Sequence, residues 1–89
     1  MLKRHSDQLW ARLDELYANG TTFISWGELY HWYNIERISK KPWRDLVDRW
    51  QILLDEKEEE YASPLITKVW GGVSLFYSKD PVQLEEMVD

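Results

Sequence analysis

The sequence predicts an α+β fold in which three helices precede a C-terminal β-hairpin. Apolar residues recur at helical spacing along "SKKPWRDLVDRWQILLDE", residues 39–56, which is the strongest periodic signal in the chain. Two β-rich runs flank Gly71-Gly72 in "LITKVWGGVSLFYS", a pattern typical of a hairpin because glycine takes positive φ easily in a two-residue turn. With 89 residues, the chain is expected to form a single domain, residues 1–89.

Capping residues mark the starts of the first two helices. The first helix is predicted over about residues 7–18, with Ser6 as its N-cap and an apolar stripe on one side. The second is predicted over about 26–34, because Ser25 and Glu28 have the spacing of a capping box. The "TTFI" between them is rich in β-branched and aromatic residues, so it is predicted to be a short extended segment.

The third helix is predicted over about residues 40–57. Ser39 can cap it, and Pro42 is tolerated because the first turn needs no amide donor there. A short final helix over 81–88 is predicted from the Asp-Pro pair at its start and from an apolar side that includes Leu84.

The hairpin is predicted over residues 65–78. With Gly71-Gly72 at the turn, Trp70 would lie opposite Val73, and Lys68 opposite Leu75. Neither face of this hairpin is polar, unless a bulge or a shifted register restores a clean alternation. We therefore expect one face to pack on the helices and the other to expose apolar area.

The order of these elements resembles the winged helix-turn-helix superfamily over roughly residues 6–79. "SWGELYHWYNIERISKKPWRDLVDRWQILLDE" stands where that family has its helix-turn-helix, and "LITKVWGGVSLFYS" stands where it has its wing. The resemblance rests on element order and apolar pattern and identifies no subfamily. It implies a small winged-helix domain, with a three-helix core, a C-terminal β-hairpin wing and a short final helix.

This resemblance also implies binding of double-stranded DNA, as in a small transcriptional regulator. The third helix would enter the major groove, which demands cations near its N-terminal end. The cations there are Arg37, Lys40, Lys41 and Arg44. Lys68 on the wing, with Lys3 and Arg4 in an N-terminal arm, would contact phosphates.

The charge balance weighs against this function. The formal net charge is −5, whereas nucleic-acid binders are usually basic. At 100° per residue, Asp45, Asp48 and Ile52 project away from the buried side of the third helix, where a polyanion would meet them. The alternative interpretation is an ordinary solvated helix face on which Arg44–Asp48 and Asp45–Arg49 pair at i,i+4 spacing.

A second hypothesis is a winged helix that binds a protein and not DNA, such as an adaptor or a small phage-type inhibitor of a larger machine. Six tryptophans and five tyrosines favour it, because large aromatics are common at interface hot spots. Its expected interface residues are Ile52, Trp70, Leu84, Met87 and Val88. Trp70 at the hairpin tip has a third interpretation, a lid over the edge of the core. The resemblance also implies a homodimer through terminal helices.

No motif indicates an enzyme, a cofactor or a small-molecule substrate. The chain has no cysteine, its glycines form no phosphate loop, and His5 and His31 have no further ligands at metal-binding spacing. The sequence therefore predicts no catalytic residues and no metal site. Apolar runs are too short to span a membrane, and no apolar signal region follows the N-terminus, so we expect a cytoplasmic protein without membrane contact.

Overall fold

The computed structural model describes residues 1–88, which form an α+β fold of three α-helices and a three-stranded antiparallel sheet. This confirms the predicted α+β class. The elements in chain order are α1 (Lys3–Asn19), β1 (Thr21–Ser25), α2 (Trp26–Tyr33), α3 (Lys40–Glu56), β2 (Leu65–Val69), β3 (Gly72–Phe76) and a 3₁₀ turn (Leu84–Met87).

Local capping explains where α2 and α3 begin. The Ser25 hydroxyl accepts from the Glu28 amide, and the Glu28 carboxylate accepts from the Ser25 amide, so the predicted capping box is present. The Ser39 hydroxyl accepts from the Lys41 amide at 3.4 Å. Both helices therefore start where the serines predict.

The start of α1 differs from the prediction. The helix begins at Lys3, four residues early, and its N-cap Leu2 makes no side-chain capping bond. Ser6 lies inside the helix, and its hydroxyl accepts a 2.8 Å bond from Arg49 of α3. The serine is therefore a tertiary contact rather than a cap.

The sheet has the strand order β1-β3-β2, with β3 in the centre. The segment after α1 is thus more than a short extended connection: Thr21 pairs with Phe76, and Ser25 pairs with Gly72. This pairing ties the hairpin to the α1–α2 corner. Trp26 strengthens the junction, because its amide donates to the Gly71 carbonyl and its indole to the Trp70 carbonyl.

The predicted hairpin register is wrong by two residues. Lys68 lies opposite Val73, and Val69 lies opposite Gly72, so Trp70 and Gly71 form the turn. Neither glycine of the pair has a positive φ. Gly72 lies within β3, where a Cβ would come 2.2 Å from the Ile24 carbonyl oxygen. The close approach of β1, and not turn geometry, requires glycine at position 72.

The core lies between the helices and the inner face of the sheet. Trp32 and Trp50 are buried there with leucines from all three helices, and Val73 and Leu75 contribute from β3. Trp43 is half-buried against this cluster. Each buried indole has a partner: Trp32 donates to Gln8, and Trp50 to the Ala62 carbonyl. Trp50 is therefore buried as predicted, with its ring against that of Tyr77 just after β3, whereas Trp43 is only half-buried.

The final segment does not form the helix predicted over 81–88. It contains a single 3₁₀ turn, and Leu84, Met87 and Val88 are all exposed. A helix this short is unstable in water unless an apolar face is packed against a neighbour. The segment contributes nothing to the core, so it does not cover the domain.

Candidate nucleic-acid and protein interfaces

The start of α3 carries the first candidate site. Arg37, Lys40, Lys41 and Arg44 are all exposed. None of the four forms a salt bridge within residues 1–88. The cap at Ser39 places the first two lysines in the opening turn of the helix. The predicted cations are therefore grouped, and their charges are not neutralised by the described part of the chain.

Asp45 does not face outward as the helical projection indicates. Its carboxylate accepts a 2.7 Å bond from the Tyr33 hydroxyl and a 2.8 Å bond from Arg49 Nε. Burial, reinforced by the bond to Asp45, raises the pKa of Tyr33. Arg49 is held in turn by Ser6 and lies over the Trp10 ring, 5.2 Å from its centroid. Asp45 is thus a structural acceptor that connects α2 and α3 and is paired with a cation.

The two expected i,i+4 pairs on α3 have different outcomes. Asp45–Arg49 forms a salt bridge, whereas Arg44–Asp48 is not among the salt bridges of residues 1–88. Asp48 stays exposed, so it is the acid that remains on the outward side near the basic start of the helix.

An apolar groove separates α3 from β2. Its volume is about 340 Å³, and its lining consists of Trp43, Leu46, Val47, Trp50, Ser63, Pro64, Ile66, Lys68 and Leu75. A second hollow adjoins it, lined by Lys40, Trp43, Arg44, Val47 and Asp48. Because Trp43 and Val47 line both hollows, the hollows form one continuous surface. Its charged residues are Lys68 of the hairpin and Lys40, Arg44 and Asp48 of α3. We call this surface the α3–β2 groove.

Lys3 and Arg4 do not form an N-terminal arm. Both lie in the first turn of α1, and Lys3 pairs with Asp7 at 2.9 Å. Arg49 contacts Met1 as well as Ser6, so the chain start lies against the Asp45–Arg49 flank of α3. At 100° per residue, Arg49 is about 160° around the helix from Val47. These two cations are therefore separated from the α3–β2 groove.

The outer face of the sheet carries the second candidate site. Trp70 is completely exposed at the hairpin tip, and Leu65 is 73 % exposed. The strand register places Phe23, Val69 and Phe76 on the same face, each more than two-fifths exposed. This is the exposed apolar hairpin face expected from the sequence, and it is larger because β1 adds Phe23. Its position could not be foreseen without the β1–β3 pairing.

Trp70 does not cover the edge of the core. Its backbone carbonyl is held by the Trp26 indole, while its own ring points into solvent. Ile52, on the outward side of α3, is about half exposed. The other expected interface residues lie on the terminal segment, apart from Trp70 and Ile52; they are Leu84, Met87 and Val88.

The two histidines are distant in the sequence but lie side by side in the fold. His5 of α1 and His31 of α2 have ring centroids 4.5 Å apart. His5 is buried and His31 is exposed; burial, and then the neighbouring His31, lower the pKa of His5. Within residues 1–88, no group of three potential metal ligands comes together.

Two carboxylates have perturbed pKa values, and both are held ionised. Burial opposes ionisation of Glu28, but the bonds from Arg12 and from the Ser25 amide outweigh it and lower the pKa. Hydrogen bonds from Lys79 and then from Tyr17 lower the pKa of Glu59. Both shifts fit structural ion pairing between elements that are distant in the sequence.

Comparisons of the chain with protein-family models, with curated proteins and with solved structures give no match. Within residues 1–88, no helix combines the length and apolar character that crossing a bilayer requires.

Proposed function

We propose that this chain is a winged-helix domain that binds double-stranded DNA through the start of α3, with Lys68 of the hairpin at the neighbouring backbone. It would act as a small cytoplasmic transcriptional regulator and not as an enzyme. The element order and the β1-β3-β2 sheet support the winged-helix assignment. In this arrangement α3 enters the major groove, and the hairpin serves as the wing.

The observation that carries the proposal is that the exposed cations at the start of α3 form no ion pairs within residues 1–88, although Asp48 lines the same hollow as Lys40 and Arg44. Asp45 is paired with Arg49 and hydrogen-bonded by Tyr33. The exposed cations from Arg37 to Arg44 keep their charge free of ion pairs within residues 1–88. Phosphate neutralisation needs such unpaired, exposed charge, because released counterions supply most of the affinity.

The acidic total does not prevent this mode of binding. Beyond Asp48, the next acid of α3 is Asp55, 15 residues after Lys40. That spacing corresponds to roughly 22 Å along a helix at 1.5 Å per residue. Charges this far apart are largely screened, since the Debye length is about 8 Å at physiological ionic strength. A local cation cluster can therefore act despite the net charge of −5.

The test is a triple charge reversal at Lys40, Lys41 and Arg44, each changed to Glu. DNA retardation is measured at several salt concentrations with duplexes of random sequence. Each lost phosphate contact should reduce the slope of log K against log salt by about 0.9, so three lost contacts reduce it by about 2.7. An unchanged affinity and slope would contradict the proposal.

A matched control carries the same change in net charge at other sites. Lys3→Glu, Arg4→Glu and Lys57→Glu reverse three exposed cations that lie outside the α3–β2 groove. This variant should retain most of the salt slope. Equal losses in the two triple variants would show that net charge alone, and not the start of α3, governs binding.

Protein binding through the outer sheet face is the second candidate. The full exposure of Trp70, beside a face that also exposes Leu65 and Phe76, favours it, because aromatic side chains commonly anchor interfaces. This hypothesis predicts no DNA retardation even at low salt. It also predicts a stable protein complex that Trp70→Ala disrupts, whereas DNA binding through α3 should survive that substitution.

A further inference from the structure

The C-terminal segment is acidic and apolar, and the domain it belongs to does not bury it. Every residue from 79 to 88 is exposed. Its apolar members are Val82, Leu84, Met87 and Val88, and its acids within the described range are Asp80, Glu85 and Glu86. None of these acids forms a salt bridge within residues 1–88. We call residues 80–88 the tail.

The α3–β2 groove has the complementary chemistry. Its floor is apolar, formed in part by Trp43 and Trp50, and its rims carry three cations (Lys40, Arg44 and Lys68) against one acid, Asp48. A short apolar segment flanked by carboxylates fits a groove of this kind, because burial of side chains and pairing of opposite charges occur together. We propose that the tail of one copy of this chain docks in the α3–β2 groove of a second copy, forming a reciprocal dimer.

The strand register indicates a second copy rather than the same chain. The tail leaves β3 beside Leu65 and Phe76, which face outward, and Pro81 lines a hollow with these two residues. The α3–β2 groove lies on the opposite, inner face, with Ile66 and Leu75. A tail bound to its own groove would have to turn around the β2 edge. Exchange between two copies avoids this turn, and a two-fold arrangement uses both tails and both grooves.

If the start of α3 binds DNA, as proposed above, then docking of the tail would oppose DNA binding. A docked tail would place Glu85 and Glu86 against Lys40, Arg44 and Lys68, so tail and phosphate would compete for the same cations. Dimerisation itself does not depend on DNA binding. The two proposals therefore fail separately: the oligomeric state tests the dimer, and the salt slope tests the DNA site.

The experiment is sedimentation velocity of the full chain over a concentration series, with two variants that each remove one half of the contact. Leu84→Asp/Met87→Asp alters the tail, and Val47→Asp alters the groove. Tyr30→Asp is the matched control, because Tyr30 is 37 % exposed on α2 and lines neither hollow of the groove, whereas Val47 is 46 % exposed and lines both. Circular dichroism melting of each variant confirms that it is folded.

We expect the native chain and the Tyr30 variant to dimerise equally, and the tail and groove variants each to dimerise at least tenfold more weakly. Mixing those two variants should restore a dimer, since one retains a groove and the other a tail. A native chain that stays monomeric, or a mixture that stays monomeric, would overturn the proposal. So would loss of the dimer with Leu84→Asp/Met87→Asp but not with Val47→Asp, which indicates tail-to-tail packing. Loss with Trp70→Ala would indicate the outer sheet face and would equally refute tail exchange.

Discussion

The close approach of β1 to β3 can be tested by adding one methyl group at Gly72. In Gly72→Ala, the new Cβ would lie 2.2 Å from the Ile24 carbonyl oxygen and 2.7 Å from Ser25 Cα, both backbone atoms. Ordinary contact between carbon atoms is about 3.5–4.0 Å, so β1 must move by roughly 1 Å. That movement strains the Ser25–Gly72 and Ile24–Val73 pairs. Overpacking costs about 1–3 kcal/mol, and each weakened backbone hydrogen bond costs about 1 kcal/mol more.

We therefore expect Gly72→Ala to lower the free energy of unfolding by about 3 kcal/mol, which for a domain of this size lowers Tm by roughly 12–24 °C. Urea unfolding followed by tryptophan fluorescence measures it. Gly71→Ala is the control, since its Cβ would meet only Phe23 Cζ at 3.8 Å, an ordinary contact. It should change stability by no more than about 0.5 kcal/mol. If the two alanine variants have equal stability, the close β1–β3 approach is refuted.

Three further predictions concern individual side chains. Trp70→Ala should change the free energy of unfolding by less than about 0.5 kcal/mol, whereas Trp50→Ala should cost about 3–5 kcal/mol, and urea unfolding compares them. Because the folded pKa of His5 lies below its unfolded value, the unfolded chain binds the additional proton, so stability should fall as the pH drops from 7 to 5. His5→Gln should flatten that dependence in melts at several pH values. Arg12→Met removes the guanidinium that donates to the Glu28 carboxylate and to the Phe23 carbonyl, so it should lower the free energy of unfolding by about 1–3 kcal/mol in the same assay.

The helices could be predicted because their signals are local. The Ser25–Glu28 capping box and the Ser39 cap act within one turn of the helices they begin. The apolar repeat of α3 extends over several turns and required no knowledge of the packing partner. Ser6 is the exception, because a capping serine and a serine that accepts from a distant arginine look identical in the sequence.

The hairpin register and the third strand depended on contacts distant in the sequence. A Gly-Gly pair predicts a turn, and the turn is present, but Trp26 from α2 binds the carbonyls of Trp70 and Gly71 and so favours those two residues at the tip. The same shift places Gly72 against β1. Turn preferences are local and carry no information about pairing with β1, which lies nearly 50 residues earlier. The predicted hairpin register was therefore wrong by two positions.

Contacts distant in the sequence also decide which charges of α3 are paired, and the functional proposal rests on those charges. Counting residues along α3 placed Asp45 among the outward acids, because a helical projection assumes that every side chain points radially. The carboxylate instead bends to Tyr33, 12 residues earlier, and to Arg49 one turn later. Elsewhere, Glu28 pairs with Arg12 and Glu59 with Lys79, again across elements. A net charge of −5 therefore says little about the field at the start of α3, where the described cations have no such partners. What the groove binds depends on which charges remain unpaired, and that is set by the fold.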